Sequence, residues 1–440
     1  MLDRYWSTNL KVSFPLVLKS GWIEMAGIAK LILLLLSSNC FVMVILISST
    51  LFSERVHAAW GTFWDRHQFQ VHGFATQGIV KTNRNELFGK SSQALGSLDF
   101  REIGLVGSFK PSQKSHVSAQ LLSRKVGESN KDIDLDFAII DYRAVDKMTH
   151  NVGFRLGRIK NSFGLFNDTR DMAFTRQNIL LPQSIYFERT RDLSLSSDGV
   201  ELYAQLSRSS HHVGLQFIAS FPRVDNGNTE RILLQSEKPG MFEGKSSFLS
   251  RVVYNGLNDR LTLAYSEVRL NLDYKPDSSE IGFDGNSGFS FQLRIASFQY
   301  RFSQFIVTAE YARRSLEYTG MPEAYMPSFL ANITGESYYV QLSYILTRKW
   351  RIYTRYDTLF QNIDDRYGKT FFNLTGQAPH TRYAKDSLIG VQWNINHNWM
   401  LRSELHEVEG VAWLSPNDNE NLSETSKFWH AALFSISYRF

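Results

Sequence analysis

Apolar and polar residues alternate along most of the chain from Gln68 onward, in runs of about 9–12 residues broken by turns. Across residues 150–156, Val152, Phe154 and Leu156 share one face. Across 200–206, Val200, Leu202, Ala204 and Leu206 share one face, with Glu201, Tyr203 and Gln205 on the other. A period of two predicts strands with one apolar and one wetted side. The first strand runs through Phe69, Val71 and Phe74, and the second carries Ile103, Leu105 and Phe109 on one face. A turn at Pro111 leads to a third with Val117, Ala119 and Leu121. The fourth sets Leu135, Phe137 and Ile139 outward, with Asp134, Asp136 and Tyr142 opposite. Val213, Leu215, Phe217 and Phe221 mark the next, and later strands centre on Val252, Leu263, Leu293, Val307, Leu342, Ile352, Val391, Leu401 and Ile436. About sixteen strands result, an even number and a size at which a closed barrel holds an aqueous lumen.

The connections sort by length. Short ones fall near Pro111, Thr149, Ser209, Asp259, Ser303, Thr347 and Asn396. Long polar ones fall at 81–97, 125–132, 157–199, 222–244, 271–288, 316–335, 361–381 and 410–427. Short turns on one side and long loops on the other are the asymmetry of a membrane barrel, which a β-sandwich has no reason to adopt. The segment 157–199 stands out, because ordinary connections have about 2–6 residues. Its Phe163, Leu165, Phe166, Phe174, Ile179, Leu180, Leu181, Ile185, Tyr186 and Phe187 call for burial, so it needs an enclosed place to pack. The expected fold is all-β: a transmembrane antiparallel barrel of about sixteen strands, with this third long loop folded into the lumen.

The first sixty residues read differently. Lys30, an apolar run over 31–52 and the small-residue end at Val56 and Ala58 describe a secretory signal peptide, so 1–58 is expected to leave and 59–440 to form the barrel. The alternative is a retained anchor. Met25 is a candidate start. The only cysteine, Cys40, lies in this segment, leaving the remainder without a thiol for disulfides, metal sites or nucleophilic catalysis. A net charge of +5 without a Lys/Arg block argues against nucleic acid as a partner. A mean hydropathy of -0.25 is too polar for a bundle of membrane helices.

Tyr254, Phe302, Phe305, Tyr344, Trp350, Trp393, Trp399, Tyr438 and Phe440 all sit beside short turns or the C-terminus, which places them in one ring at the level of lipid headgroups. Residues 434–440 alternate to the end and stop on Phe. Here the chain resembles the Gram-negative outer-membrane porins, general or substrate-selective, whose last strand typically ends in an aromatic residue. That resemblance implies a third loop that narrows the lumen, a homotrimer, a surrounding of outer-membrane lipid and lipopolysaccharide, and Phe440 as a signal to the barrel-assembly machinery.

Nothing from residue 59 onward matches a phosphate-binding Gly loop, a His-Glu-x-x-His or a Gly-x-Ser-x-Gly motif, and no cofactor or metal is implied. The expected function is a water-filled, weakly anion-preferring channel for small hydrophilic solutes. A surface receptor or adhesion barrel is the alternative, and an enzyme the least favoured. The candidate constriction is Arg158, Lys160, Asp168, Arg170, Asp171, Arg176, Glu188, Arg189 and Arg191, with its arginines at the narrowest point. By strand parity the candidate wall comprises Arg155, Glu201, Arg251, Arg294, Glu310, Arg351, Arg355, Arg402 and Glu404, with Glu102, Asp134, Asp136 and Asp357 on the same side.

Overall fold

The computed structural model describes residues 69–440, save positions 128, 225, 226, 235, 237 and 284 and the side chains of 129–132. The signal segment read in 1–58 lies outside the described residues. Strands run in the order β1 Gln70–Thr82, β2 Ser97–Phe109, β3 Ser115–Val126, β4 Ser129–Lys147, β5 His150–Lys160, β6 Ser196–Arg208, β7 His211–Pro222 and β8 Met241–Gly256. They continue with β9 Leu261–Lys275, β10 Gly288–Phe302, β11 Phe305–Thr319, β12 Asn332–Ile345, β13 Trp350–Phe360, β14 Tyr383–Asn394, β15 Trp399–Gly410 and β16 Phe428–Arg439. Each pairs antiparallel with its sequence neighbours, and β1 pairs with β16 from Phe74↔Arg439 to Thr82↔Ala431, which closes the barrel. Closure matters because a strand edge in lipid would leave peptide groups unpaired.

Alternation sets which side chains face lipid. Val152, Phe154, Leu156, Leu202 and Leu206 stay exposed on the outer face, while Glu201 and Tyr203 are buried within. The aromatic ring at the short-turn end is continuous over several strands: Phe302 stacks on Phe305, Phe305 meets Tyr344, Trp350 stacks on Trp393, and Trp399 meets Tyr438. The seam ends on the terminal residue. Gly73 and Phe440 exchange backbone hydrogen bonds of 3.2 and 3.0 Å, and the Phe440 ring occupies the space where a side chain at position 73 would stand.

The structure corrects three expectations. The connection expected to be long over 125–132 is a tight hairpin, because β4 is 19 residues long and pairs back to Ser129. A bulge in β4 between Leu135 and Phe137 then reverses its parity. Ile139, expected outward, packs against the buried inner cluster, and Phe137 lies opposite the buried Gln120; Tyr142, expected inward, is exposed and meets Phe154. In β10 the parity is opposite to that expected. Leu293 and Ile295 are buried inside, whereas Arg294 shares the outer face with Phe298 and lies 3.8 Å from Glu267.

Candidate functional site

Only Asn161 to Leu195 separate β5 from β6, because the two strands pair as far as Lys160↔Ser196. Gly157 has a φ of 123°, and a Cβ there would lie 2.3 Å from the Ala138 carbonyl oxygen. No other residue type fits both the left-handed backbone and that approach. The loop enters the lumen beyond it. Phe163, Leu181, Ile185 and Tyr186 bury against Ile218, Leu249, Leu293, Ile295 and Ala312 of the inner wall. Each such side chain contributes about 2 kcal/mol of burial, enough to hold a segment that has no sheet pairing of its own. Ile179 and Leu180 join a second cluster with Leu87 and Phe88 of the first long loop and Val411 to Leu414 of the last.

Polar wall residues hold the loop backbone. Glu404 accepts from the Ile179 and Leu180 N–H groups at 2.7 and 3.2 Å, and Arg355 donates to the Leu180 carbonyl at 2.9 Å. Arg402 donates to the carbonyls of Ala173 and Arg176 at 3.0 and 3.2 Å, and to that of Asn178. Glu310 accepts from the Tyr186 hydroxyl at 2.7 Å and the Leu165 N–H at 3.0 Å. Asp357 accepts from the Ser184 N–H at 3.4 Å. Asp168 reaches Arg251 at 3.5 Å. Alternation alone implies that Glu310, Arg355, Asp357, Arg402 and Glu404 line water; in the structure they replace the sheet partners that the loop backbone lacks.

A charge network ties down the other side. Glu102 is fully buried and takes Arg191 at 2.6 Å, Arg176 at 3.0 Å and Arg124 at 3.3 Å. Glu188 pairs with Arg170 at 2.7 Å and also with Arg124. Burial alone would raise the Glu188 carboxyl, yet Arg124, Arg170 and Arg191 hold it well below the usual carboxylate range. Lys160 bridges Asp171 at 2.6 Å and Asp136 at 2.9 Å, and Arg155 lies between Asp141 and Glu201. Arg170, Arg176 and Arg191 are thus sealed in ion pairs rather than set across the narrowest water, because a charge taken out of solvent must find a partner. Arg158 is a further correction: it follows the outward Leu156 at strand spacing and pairs at 2.8 Å with Asp198, itself half exposed.

The loop leaves a cavity on each side. Toward the short turns, about 570 Å³ is lined by loop residues Phe166, Phe174 and Arg176 and by Arg301, Arg348, Lys349, Arg351 and Arg439, with no carboxylate in the lining. The last five cations form no ion pair among the described residues. Toward the long connections, about 360 Å³ is lined largely by apolar side chains together with Arg189, Arg314 and Arg382. Of the last three only Arg189 was a candidate from the sequence. Arg314 was legible, since it follows the inward Glu310 by four residues on one strand. Arg382 had no such signal, because it lies in the long connection before β14. Among the described residues no group of His, Cys, Asp and Glu could hold a metal ion.

No protein-family model and no curated protein matches the chain. Solved structures do. The anion-selective porin from Comamonas acidovorans superposes with a TM-score of 0.52 at 11% identity, over 84% of this chain and 99% of that one. The outer-membrane channel DcaP of Acinetobacter baumannii gives 0.52 at 10% identity, over 84% and 97%. Salmonella typhi OmpF, in complex with daunomycin, gives 0.51 at 13% identity, over the same shares. The chain therefore has the closed sixteen-stranded fold of the Gram-negative outer-membrane porins.

Proposed function

We propose that this barrel is a passive channel of a Gram-negative outer membrane, admitting small hydrophilic solutes with a preference for anions. The observation that carries the preference is the cavity beside the short turns. Arg301, Arg348, Lys349, Arg351 and Arg439 line it without a carboxylate, so an anion crossing this end meets an attractive field focused by low-dielectric walls. The porin fold and the outer aromatic ring support the location, with short turns toward the periplasm and long loops outside. The reading is not catalytic. A homotrimer set in lipid and lipopolysaccharide, assembled by machinery that reads Phe440, completes the proposal by analogy with that fold.

Recording in planar bilayers across a potassium chloride gradient tests it. The expected result is a reversal potential on the chloride side, shifted toward potassium when Arg301, Arg351 and Arg439 are changed together to Ser. A cation-selective parent, or one that forms no conducting unit, would overturn the reading.

A further inference from the structure

The cavity beneath the long connections differs in kind from the basic one at the other end. Its walls are mainly apolar, from Leu193, Leu233, Phe289, Leu316 and Met326 among others, with Gln361, Gln377 and Glu420 among the polar residues. Three guanidinium groups stand in it. Arg189 and Arg314 flank one ring, with Cζ atoms 5.5 and 5.3 Å from the centroid of Phe187. Arg382 lies over Phe371 at 4.5 Å and is only 6% exposed.

None of the three forms an ion pair with an acidic residue among the described residues. Arg314 donates to the Ser337 hydroxyl and the Phe360 carbonyl, both at 2.8 Å and both neutral. The guanidinium groups of Arg189 and Arg382 make no hydrogen bond among the described residues, and the Arg189 Nε is buried without a partner. Two carboxylates come near. Asp365 lies near Arg382 but caps a helical turn by accepting from the Phe371 N–H at 2.8 Å, and Glu420, the one carboxylate in the cavity lining, is exposed and pairs with Lys90 at 3.4 Å. Burial pushes the Arg189 guanidinium down to about 10, and burial with the Arg189 charge does the same for Arg382.

Charge held away from water without a partner is costly, and the buried loop arginines Arg170, Arg176 and Arg191 have each been given a carboxylate. Here no described carboxylate is paired with the three, while guanidinium forks match a carboxylate's two oxygens and cation–aromatic stacking holds them in place. A bare inorganic anion would satisfy the arginines and leave the apolar walls wet. We infer that Arg189, Arg314 and Arg382, with the apolar walls around them, form a binding site for a small organic carboxylate with a hydrocarbon or aromatic body. The volume of about 360 Å³ falls at the lower end of small-molecule sites, which suits one such molecule. The inference rests on the channel reading only in supposing that solutes reach this cavity.

Equilibrium binding to the full purified barrel, held in a detergent-free amphipathic polymer, tests it without requiring conduction. The probes are 3-phenylpropionate, 3-phenylpropanol and acetate, titrated by calorimetry against polymer alone as blank. Phenylpropionate should saturate one site per chain. Phenylpropanol, lacking the charge, and acetate, lacking the body, should each bind at least about tenfold more weakly, the scale of one charge-assisted contact or one buried apolar group. Arg382→Gln and Arg189→Gln should each weaken phenylpropionate by a similar factor, with heat-modifiability on gels confirming that the barrels fold. Equal binding of acetate and phenylpropionate, or wild-type affinity in both variants, would overturn the inference. Binding by a barrel that fails to conduct would sink the channel reading and keep the site; anion conduction without binding would do the reverse.

Discussion

Glu102 shows most clearly what a single residue contributes. Its carboxylate is fully buried and faces three arginines, two from the loop and one from β3. Removing the partner of a buried charge costs about 3–5 kcal/mol, more than the pair itself is worth, since the orphaned cations stay in place. We expect Glu102→Gln to leave a folded barrel whose loop is cut much faster by trypsin at Arg176 and Arg191, with extra conductance levels in single-channel records. Protease resistance and conductance equal to the parent would show that Glu102 is not the tether. Parity made Glu102 legible in the sequence as an inward residue. Its three partners were not, because two come from a loop whose path no periodicity fixes.

At the scale of the element, the loop behaves as a folded insert rather than a fringe. Its apolar run between Ile179 and Phe187 meets the inner faces of β7, β8, β10 to β13 and β15 and the tips of the first and last long loops. This also explains the reversed parity of β10. Leu293 and Ile295 face inward because the lumen beside them is filled by Tyr186 and Ile185, not by water. A strand with one buried and one lipid-facing side has apolar residues on both, so alternation no longer tells inside from outside. Deleting 165–186 removes the wall between the two cavities, and single-channel conductance is expected to rise severalfold. Unchanged conductance would mean that the solute path avoids the loop.

For the whole molecule the decisive event is closure. The pairing of β1 with β16 ends at Gly73 and Phe440, where the aromatic ring covers the glycine on the outer face. A charged side chain at 440 would stand in the headgroup layer next to Trp399 and Tyr438 and lose that packing. The expectation is that Phe440→Asp, and separately Gly73→Phe, lower the amount of heat-modifiable barrel in the outer membrane by at least about threefold, a loss of near 0.7 kcal/mol in the seam. Normal surface levels in both would show that closure does not depend on this contact.

Strand number, the aromatic ring and the sorting of short turns from long loops, the 125–132 hairpin excepted, were fixed by local chemistry. Period-two alternation and turn residues act over neighbouring positions, so the chain declares them wherever water lies on one side and lipid on the other. The same logic placed Arg155, Glu201, Glu310, Arg355, Arg402 and Glu404 inside. It misplaces Arg294 and Ile139, where a filled lumen or a one-residue bulge breaks the rule, and Arg158, because β5 runs on past Leu156 to Lys160. The meeting of Arg189, Arg314 and Arg382 in one apolar cavity belongs to tertiary structure alone. Those residues come from three segments far apart in sequence, and only closure of the barrel around its loop brings their charges together.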